Sequence, residues 1–206
     1  MQLGFFFDQT RCVGCYTCCV ACKDWNDIPA GRSRWLEVKE IVEGDFPSLL
    51  VAYLFRPCYH CAEPACQKVC PTEAISKRTE DGIVVVNRGL CLGEESCGLC
   101  KQACPYDAIQ YGDEKNPTSQ KCDLCADRRR EMKKPICVEA CTMRALDSGP
   151  LEELRARYGD VREATGFSCL PGPGAWLTRS VEAAPVLPPE AAGMPPGVGC
   201  RRPRTF

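Results

Sequence analysis

The sequence predicts an α+β protein whose fold depends on cysteine chemistry more than on a large apolar core. Nineteen of its 206 residues are cysteine, and only 42 are Leu, Ile, Val or Phe. An apolar share near one fifth lies at the composition where hydrophobic burial alone hardly folds a chain. The net charge of −1 argues against a self-repelling disordered chain. Something besides hydrocarbon therefore has to hold the chain together, and the cysteines are the obvious candidates.

Four similar cysteine groups form an internal repeat. Seventeen of the nineteen cysteines lie between Cys12 and Cys141. Each group ends in a Cys-x3-Cys step, and further cysteines precede that step. The members of the four groups, in order, are Cys12, Cys15, Cys18 and Cys22; Cys58, Cys61, Cys66 and Cys70; Cys91, Cys97, Cys100 and Cys104; and Cys122, Cys125, Cys137 and Cys141.

The segments that follow the cysteine groups repeat as well. CPTEAI (70–75), CPYDAI (104–109) and CTMRAL (141–146) each end in Ala and an aliphatic residue. After the second group, turn residues and the run GIVVVN (82–87) predict a hairpin. The order strand, cysteine-rich loop, short helix and strand is typical of a small ferredoxin. Because four groups make two such modules, the sequence predicts two tandem ferredoxin-like modules of the bacterial 2×(4Fe–4S) type.

Two further segments complete the predicted organisation. Two β-rich runs around a Pro-containing turn predict a β-hairpin inserted at about 34–56. Residues 150–206 hold nine of the 17 prolines and seven of the 17 glycines, after one short helical segment at 151–159. We therefore expect a cysteine-rich domain over 1–149 and an extended C-terminal tail over 150–206. Such a tail is either free-standing and disordered or docked on a partner.

The cysteine spacing indicates 4Fe–4S clusters. In two-cluster ferredoxins a loop supplies three thiolates to one cube, and the fourth cysteine, followed by Pro, ligates the other cube. This chain has Cys70-Pro71 and Cys104-Pro105 at that place. Pro is tolerated there because it begins the next helix, where the missing N–H costs little. Four groups of four cysteines therefore predict four 4Fe–4S clusters.

Zinc and disulfides are the alternatives to iron. Structural zinc sites use two Cys-x2-Cys pairs per metal, which leaves no use for a third close cysteine and a Cys-x3-Cys step. An odd number of cysteines leaves one thiol over in a purely disulfide-linked framework. The repeat thus favours iron–sulfur over zinc and both over disulfides.

A few cysteines and aromatic residues fall outside this scheme. Cys19 adjoins Cys18 and could replace it, although the x2-x2-x3 rhythm favours Cys18. Cys169 and Cys200 have no partners at ligand spacing and are expected to be free thiols. The single histidine, His60, is expected to bond to a cluster sulfur or the backbone, with ligation or proton relay as alternatives. The tryptophans are expected to pack, one of them shielding a cluster from water: Trp25, Trp35 and Trp176.

Charge and hydropathy argue against two classes of partner. With 26 basic and 27 acidic residues, there is no electrostatic basis for nucleic-acid binding. The basic run at 128–134 indicates a solvated helix face. The sequence has no stretch of 18 or more apolar residues, so we expect no membrane-spanning helix. The N-terminus lacks a secretory or twin-arginine pattern, so we expect a cytoplasmic location, with membrane association or export only through a partner.

The whole pattern resembles the iron–sulfur (electron-transfer, beta) subunit of the dimethyl sulfoxide reductase family of molybdopterin oxidoreductases. The resemblance covers residues 3 to about 159 and is carried by RCVGCYTC (11–18), PCYHCAEPACQKVCP (57–71), KQACPYDAIQY (101–111) and KCDLCADRRREMKKPICVEAC (121–141). It implies a large catalytic partner that carries a molybdenum or tungsten bis-pterin cofactor. A membrane anchor that handles quinone, or a soluble electron carrier, is the further partner that it implies.

The resemblance also implies that groups one and four share two clusters, and that groups two and three share the other two. The implied ligand sets are Cys12, Cys15, Cys18 and Cys141; Cys22, Cys122, Cys125 and Cys137; Cys58, Cys61, Cys66 and Cys104; and Cys70, Cys91, Cys97 and Cys100. Two departures from the family pattern bear on these sets. Five residues separate Cys91 from Cys97 where the family has two, and Thr142 replaces Pro after Cys141. Cys91 is therefore the ligand that the pattern supports least.

The sequence thus predicts an electron-transfer subunit, not catalytic by itself, that relays electrons between a catalytic subunit and an external carrier. A free-standing polyferredoxin is the alternative with the same chemistry. A zinc-stabilised binding module is the alternative from another class. A single histidine cannot build a catalytic triad, and the sequence has no dinucleotide or P-loop motif.

Overall fold

A computed structural model describes residues 1–159, 164 and 176–179. The strands in this part are β1 (Leu3–Asp8), β2 (Glu37–Glu43), β3 (Leu50–Arg56), β4 (Ile75–Lys77), β5 (Val84–Val86), β6 (Leu146–Pro150) and β7 (Trp176–Arg179). The α-helices are α1 (Thr17–Trp25), α2 (Ala65–Lys68), α3 (Leu99–Ala103), α4 (Ala126–Arg130), α5 (Ile136–Glu139) and α6 (Leu151–Tyr158). None of these described helices has the length and apolar character that crossing a membrane requires. The mixed α and β content agrees with the predicted class.

The central sheet is built around β1, whose sequence LGFFFD is buried throughout. β6 pairs with it antiparallel on one side and β7 parallel on the other. Successive side chains of a strand point to opposite faces of its sheet. Phe5 and Phe7 therefore enter the main core, while Phe6 packs against Leu151 and Leu154 of α6 on the other face.

A hairpin of β2 and β3 packs its base on the same main core. The two strands pair antiparallel over their whole length, and the Ser48 N–H closes the turn on the Asp45 carbonyl at 2.7 Å. Gly44 has a left-handed backbone (φ +79°), and a Cβ there would lie 2.4 Å from the Ser48 carbonyl oxygen. Glycine is thus required at this turn. Leu54 and Phe55 of β3 anchor the hairpin in the core.

A second sheet, made of β4 and β5, carries a small separate core. The two strands pair antiparallel, with Ile75 opposite Val86. Ile75 and Val84 pack with Ile109 and Tyr111 in this second core. The central sheet and this second sheet both have cysteine groups at their ends, and the position of these ends decides which groups meet.

The C-terminal tail is not free-standing at residues 176–179. Trp176 and Leu177 of β7 are completely buried, and Arg179 forms a 2.9 Å ion pair with Asp8 of β1. The expectation of a disordered or partner-docked tail did not anticipate this strand. The segment WLTR is too short to show a strand periodicity, yet it covers an edge of β1 that would otherwise be open. Most of residues 160–206 lie outside the described part of the protein.

Candidate metal centres

The pairing of β1 with β6 brings the first and fourth cysteine groups together. The first group follows the end of β1, the fourth precedes the start of β6, and these ends meet where Phe7 lies opposite Leu146. Helix α1 of the first group packs against α5 of the fourth. Two segments about 100 residues apart in sequence therefore face each other.

The pairing of β4 with β5 has the same effect on the second and third groups. The second group precedes β4, the third follows β5, and the two ends meet where Ile75 lies opposite Val86. Helix α2 packs against α3 at this place. The two sheets thus bring the first cysteine group to the fourth, and the second cysteine group to the third.

The repeated tails of the cysteine groups share one backbone conformation. The third residue after the last cysteine has a left-handed backbone each time, and its N–H donates to the carbonyl of that cysteine: Glu73 (φ 54°), Asp107 (φ 52°) and Arg144 (φ 52°). The fourth residue after Cys104 and after Cys141 is an alanine, and its N–H donates to the cysteine sulfur, at 3.4 Å from Ala108 and 3.3 Å from Ala145. The repeated tail therefore places a backbone N–H donor beside each of these two sulfurs.

Four cysteines of the first and fourth groups line one cavity. They are Cys12, Cys15, Cys18 and Cys141, and apolar side chains of the main core form much of the remaining wall. The empty space is ≈ 380 Å³, including the part that opens to solvent. Cys15 lies at the exposed side, where a hydrogen bond with Thr17 lowers the pKa of its thiol. All four thiols of one implied ligand set thus surround a single space.

A second cavity of similar size, ≈ 330 Å³, lies between the second and third groups. Its cysteines are Cys70, Cys91, Cys97 and Cys100. Cys91 lines this cavity in spite of its long spacing, and its sulfur accepts a 3.4 Å hydrogen bond from the Ser119 N–H. The Tyr111 hydroxyl lies 3.2 Å from the Cys100 sulfur. The Ser119 hydroxyl is buried and has no partner among the described residues, so it can donate to a sulfur-rich group in the cavity.

The remaining ligands of groups one and four form a buried set. Cys22, Cys122, Cys125 and Cys137 are all buried. Burial raises the pKa of every thiol in the set, to about 12 for Cys22 and about 11 for Cys125. Neighbouring thiols of the same set raise the pKa of Cys22, Cys122 and Cys137 further. The four sulfurs therefore lie close enough to influence one another.

Two of the remaining ligands of groups two and three, Cys61 and Cys66, show the same effect. Burial raises the pKa of Cys61 to about 11 and that of Cys66 to about 12, and the thiols of Cys58 and Cys104 contribute to both increases. Thiols of this kind remain protonated unless a cation is bound to them. Cluster iron that takes four thiolates would supply that charge and release the protons.

The described cysteines do not converge on a site for a single metal ion. No three His, Cys, Asp or Glu side chains among the described residues come close enough together to hold one ion. Zinc with four thiolates needs sulfurs ~2.3 Å from one centre. Two of the thiol sets instead line cavities of ≈ 380 and ≈ 330 Å³, and four thiols around such a space fit a sulfide-bridged cube.

Three cysteines stand outside these sets. Cys19 packs against the main core and does not line the first cavity, whereas Cys18 does. The hydrogen bond between the two thiols raises the pKa of Cys18 and lowers that of Cys19. Cys169 and Cys200 lie outside the described residues.

His60 is buried and bonds to the backbone. Its Nδ1 accepts a 3.1 Å hydrogen bond from the Val84 N–H of β5, which is one of the two roles expected for it. Burial, reinforced by the charges of Lys121 and Lys77, lowers the pKa of His60 well below its usual value. The ring is therefore neutral and carries its proton on Nε2, a buried atom without a hydrogen-bond partner among the described residues.

Trp176 and Trp35 pack in or against the main core, as expected, whereas Trp25 is 41% exposed. The basic run at 128–134 is not solvated throughout. Arg128 is buried, lies 4.4 Å from the centroid of the Trp25 ring and forms an ion pair with Glu139. The prediction of a solvated helix face was therefore wrong for this residue. Trp35 donates a 2.9 Å hydrogen bond to Gln120.

Sequence reasoning missed three side chains at the candidate centres, namely Lys121, Ser119 and Tyr111. None belongs to a cysteine group, and their roles depend on contacts with distant segments. Lys121 offers the one local signal, because it directly precedes Cys122. A lysine at such a place is usually exposed, and only its burial distinguishes it.

Paired ferredoxin-like cysteine groups, with four thiols around each of two cavities, are typical of one class, the 4Fe–4S iron–sulfur proteins. A family model described as "4Fe-4S dicluster domain" matches residues 49–151. The sequence is 47% identical over 168 residues to the B subunit of anaerobic dimethyl sulfoxide reductase of Escherichia coli (strain K12), covering 78% of this protein and 79% of that one. It is 44% identical to the corresponding subunit of Haemophilus influenzae, covering 77% and 78%. It is 36% identical to Protein NrfC of Escherichia coli (strain K12), covering 74% and 67%.

The protein belongs to the family of iron–sulfur subunits that includes the B subunit of anaerobic dimethyl sulfoxide reductase. It is an electron-transfer subunit with 4Fe–4S clusters and not a catalyst on its own. The resemblance stated from the cysteine pattern is confirmed by these matches.

Proposed function

We propose that the protein carries four 4Fe–4S clusters and relays electrons along them between a catalytic subunit and an external carrier. Each cluster takes up and returns one electron at a time. The proposed ligands are Cys12, Cys15, Cys18 and Cys141; Cys22, Cys122, Cys125 and Cys137; Cys58, Cys61, Cys66 and Cys104; and Cys70, Cys91, Cys97 and Cys100.

One observation carries the proposal: two cavities are each lined by four thiols that come from two different cysteine groups. Two sets surround cavities, and in the other two, neighbouring thiols raise the pKa of members of the same set. The sheet pairings support the combination of groups one with four and two with three. We further propose that each pair of groups, with its sheet, is one ferredoxin-like module and that residues 34–56 are an inserted hairpin.

Burial differs among the proposed ligand sets. Cys15 in the first set is exposed, whereas Cys22, Cys122, Cys125 and Cys137 are all buried. Burial of this set would exclude water from its cluster, and the exposed side of the first set would admit electron exchange with a partner. Hydrogen bonds to the sulfurs would influence the reduction potentials.

The proposed partner is a large catalytic subunit with a molybdenum or tungsten bis-pterin cofactor. The names of the relatives, which describe one component of a reductase, support a catalytic partner. A membrane anchor with access to quinone, or a soluble carrier, would take the other end. We propose a domain over 1–149, an extension over 150–206 that docks in part on the catalytic subunit, and a cytoplasmic location unless a signal-bearing partner exports the complex.

Metal analysis of the anaerobically purified full-length protein tests the cluster content. We expect about 16 iron and about 16 acid-labile sulfide per molecule, because four cubes need that number. Iron and sulfide are measured colorimetrically against amino-acid analysis. Abundant zinc without sulfide would contradict the proposal. Co-purification with a much larger protein would separate the subunit from a free-standing polyferredoxin.

The choice between Cys18 and Cys19 makes a second test. Cys18 lines the first cavity and Cys19 does not, so C18S is expected to lose the electron paramagnetic resonance signal of one intact cluster. C19S should retain all signals and the full iron content, and it serves as the matched control because it removes a neighbouring thiol. The opposite result would assign Cys19 as the ligand.

A further inference from the structure

Lys121 is a buried cation without an acidic partner among the described residues. It is only 3% exposed. Its Nζ donates to the carbonyl oxygen of Val84 in β5 and, at 3.0 Å, to that of Cys122. No carboxylate in the described part of the protein lies within ion-pair distance of this ammonium group. An isolated buried ammonium is costly unless a negative charge is close to it.

The described surroundings of Lys121 contain another cation and a neutral ring. His60 contacts the same residue of β5 as Lys121, because its Nδ1 accepts a hydrogen bond from the Val84 N–H, and this imidazole is neutral. Lys77 donates to the Cys61 carbonyl at 2.7 Å and to the Gln2 side chain at 3.0 Å. Lys77 is therefore a second cation on the same side, which increases the need for a negative charge nearby.

A source of negative charge on the β5 side of Lys121 is the proposed cluster of Cys58, Cys61, Cys66 and Cys104. Lys121 donates to the Val84 carbonyl, and the Val84 N–H donates to His60, which lies between Cys58 and Cys61 in the sequence. Lys77 donates to the carbonyl of Cys61 itself, so both ammonium groups lie beside the loop of the second cysteine group. A 4Fe–4S cube with four thiolates carries net negative charge, and each added electron increases it. The attraction to Lys121 consequently grows when this cluster is reduced.

We propose that Lys121 is the fixed counter-charge of the cluster held by Cys58, Cys61, Cys66 and Cys104 and raises its reduction potential. The proposal rests on the proposed function, since it needs a cluster at these four thiols. Lys121 also ties β5 to the loop of group four through its two carbonyl contacts. It is thus a tuning residue at the junction of the two cysteine-group pairs, and it does not ligate.

Redox titration of the full-length, cluster-loaded protein, followed by electron paramagnetic resonance, tests this role. K121Q keeps a donor for the two carbonyls but removes the charge. We expect about a tenfold smaller equilibrium constant for reducing one cluster, or ~59 mV more negative for a one-electron couple. K121R keeps the charge and should keep the native potential. The affected signal should be the one that is missing in C66S.

K133Q is the matched control, because it removes the charge of an exposed lysine that lies between Cys125 and Cys137 of the fourth cysteine group. It should leave all potentials unchanged. Potentials in K121Q equal to those of K133Q would overturn the proposal. If K121Q fails to hold this cluster, K121R decides: a native potential in K121R supports the charge, and loss of the cluster in both variants overturns it. Wild-type protein without iron and sulfide would instead refute the proposed function.

Discussion

Removal of iron and sulfide is expected to unfold most of residues 1–159. The helices are too short to persist alone, since α2, α3, α4 and α5 have only four or five residues each. Isolated helices shorter than ~12 residues are marginal in water. The loops that carry the cysteine groups thus have little secondary structure of their own, and the clusters would have to hold them in place.

The buried thiols strengthen this expectation. The set with Cys122 and Cys137 also includes Cys22, so its four buried cysteines come from segments 100 or more residues apart in the sequence. Without metal these thiols stay protonated, because burial raises their pKa, and they exert no attraction that would hold the segments together. A cluster that binds them closes loops of this length, so metal binding and folding should be one event.

Circular dichroism and limited proteolysis of the anaerobically prepared apoprotein test this expectation. The apoprotein should lose helical signal and become protease-sensitive across the cysteine groups. Reconstitution with iron and sulfide should restore both properties, which controls for irreversible damage. An apoprotein that keeps the ellipticity and protease resistance of the loaded form would show that the apolar core folds without clusters.

The local part of the fold could be predicted from the sequence. The hairpin strands around Asp45–Ser48 and the common tails after Cys70, Cys104 and Cys141 follow from short-range patterns, since turn residues and cysteine spacing act within a few residues. The cysteine spacing also indicated iron–sulfur chemistry, which the comparisons support. Signals of this kind require no knowledge of which distant segments meet.

The long-range part could not be predicted from spacing. The meeting of group one with group four depends on the register of Phe7 against Leu146, two residues far apart in the sequence, and the resemblance, not the spacing, indicated that combination. Lys121 and Trp176 show the same limit. Each stands in an unremarkable local sequence, and only contacts with β5 or β1 give it a role.

Substitution of Trp176 by Ala is expected to destabilise the main core strongly. Its ring is completely buried and lies 4.8 Å from Tyr59, 5.9 Å from Phe7 and 6.0 Å from Phe55 between ring centroids. Emptying such a site typically costs about 3–5 kcal/mol. For a protein of this size, that corresponds to a ~6–20 °C lower thermal midpoint, measured by the loss of visible absorbance of the cluster-loaded protein.

The aromatic core that Trp176 completes also contacts the first cavity, because Phe7 and Phe55 line it beside Cys12 and Cys18. W176A should therefore lose the signal of the cluster proposed at that cavity at a lower temperature than the signals of the other proposed clusters. Met132, which is 94% exposed, offers the control: M132A removes a large apolar side chain from the surface and should leave the midpoint unchanged. Equal midpoints for W176A and wild type would show that β7 contributes little to the core.

Truncation after Gly159 would remove this strand altogether, so it would weaken the core as well as any contact of the tail with a partner.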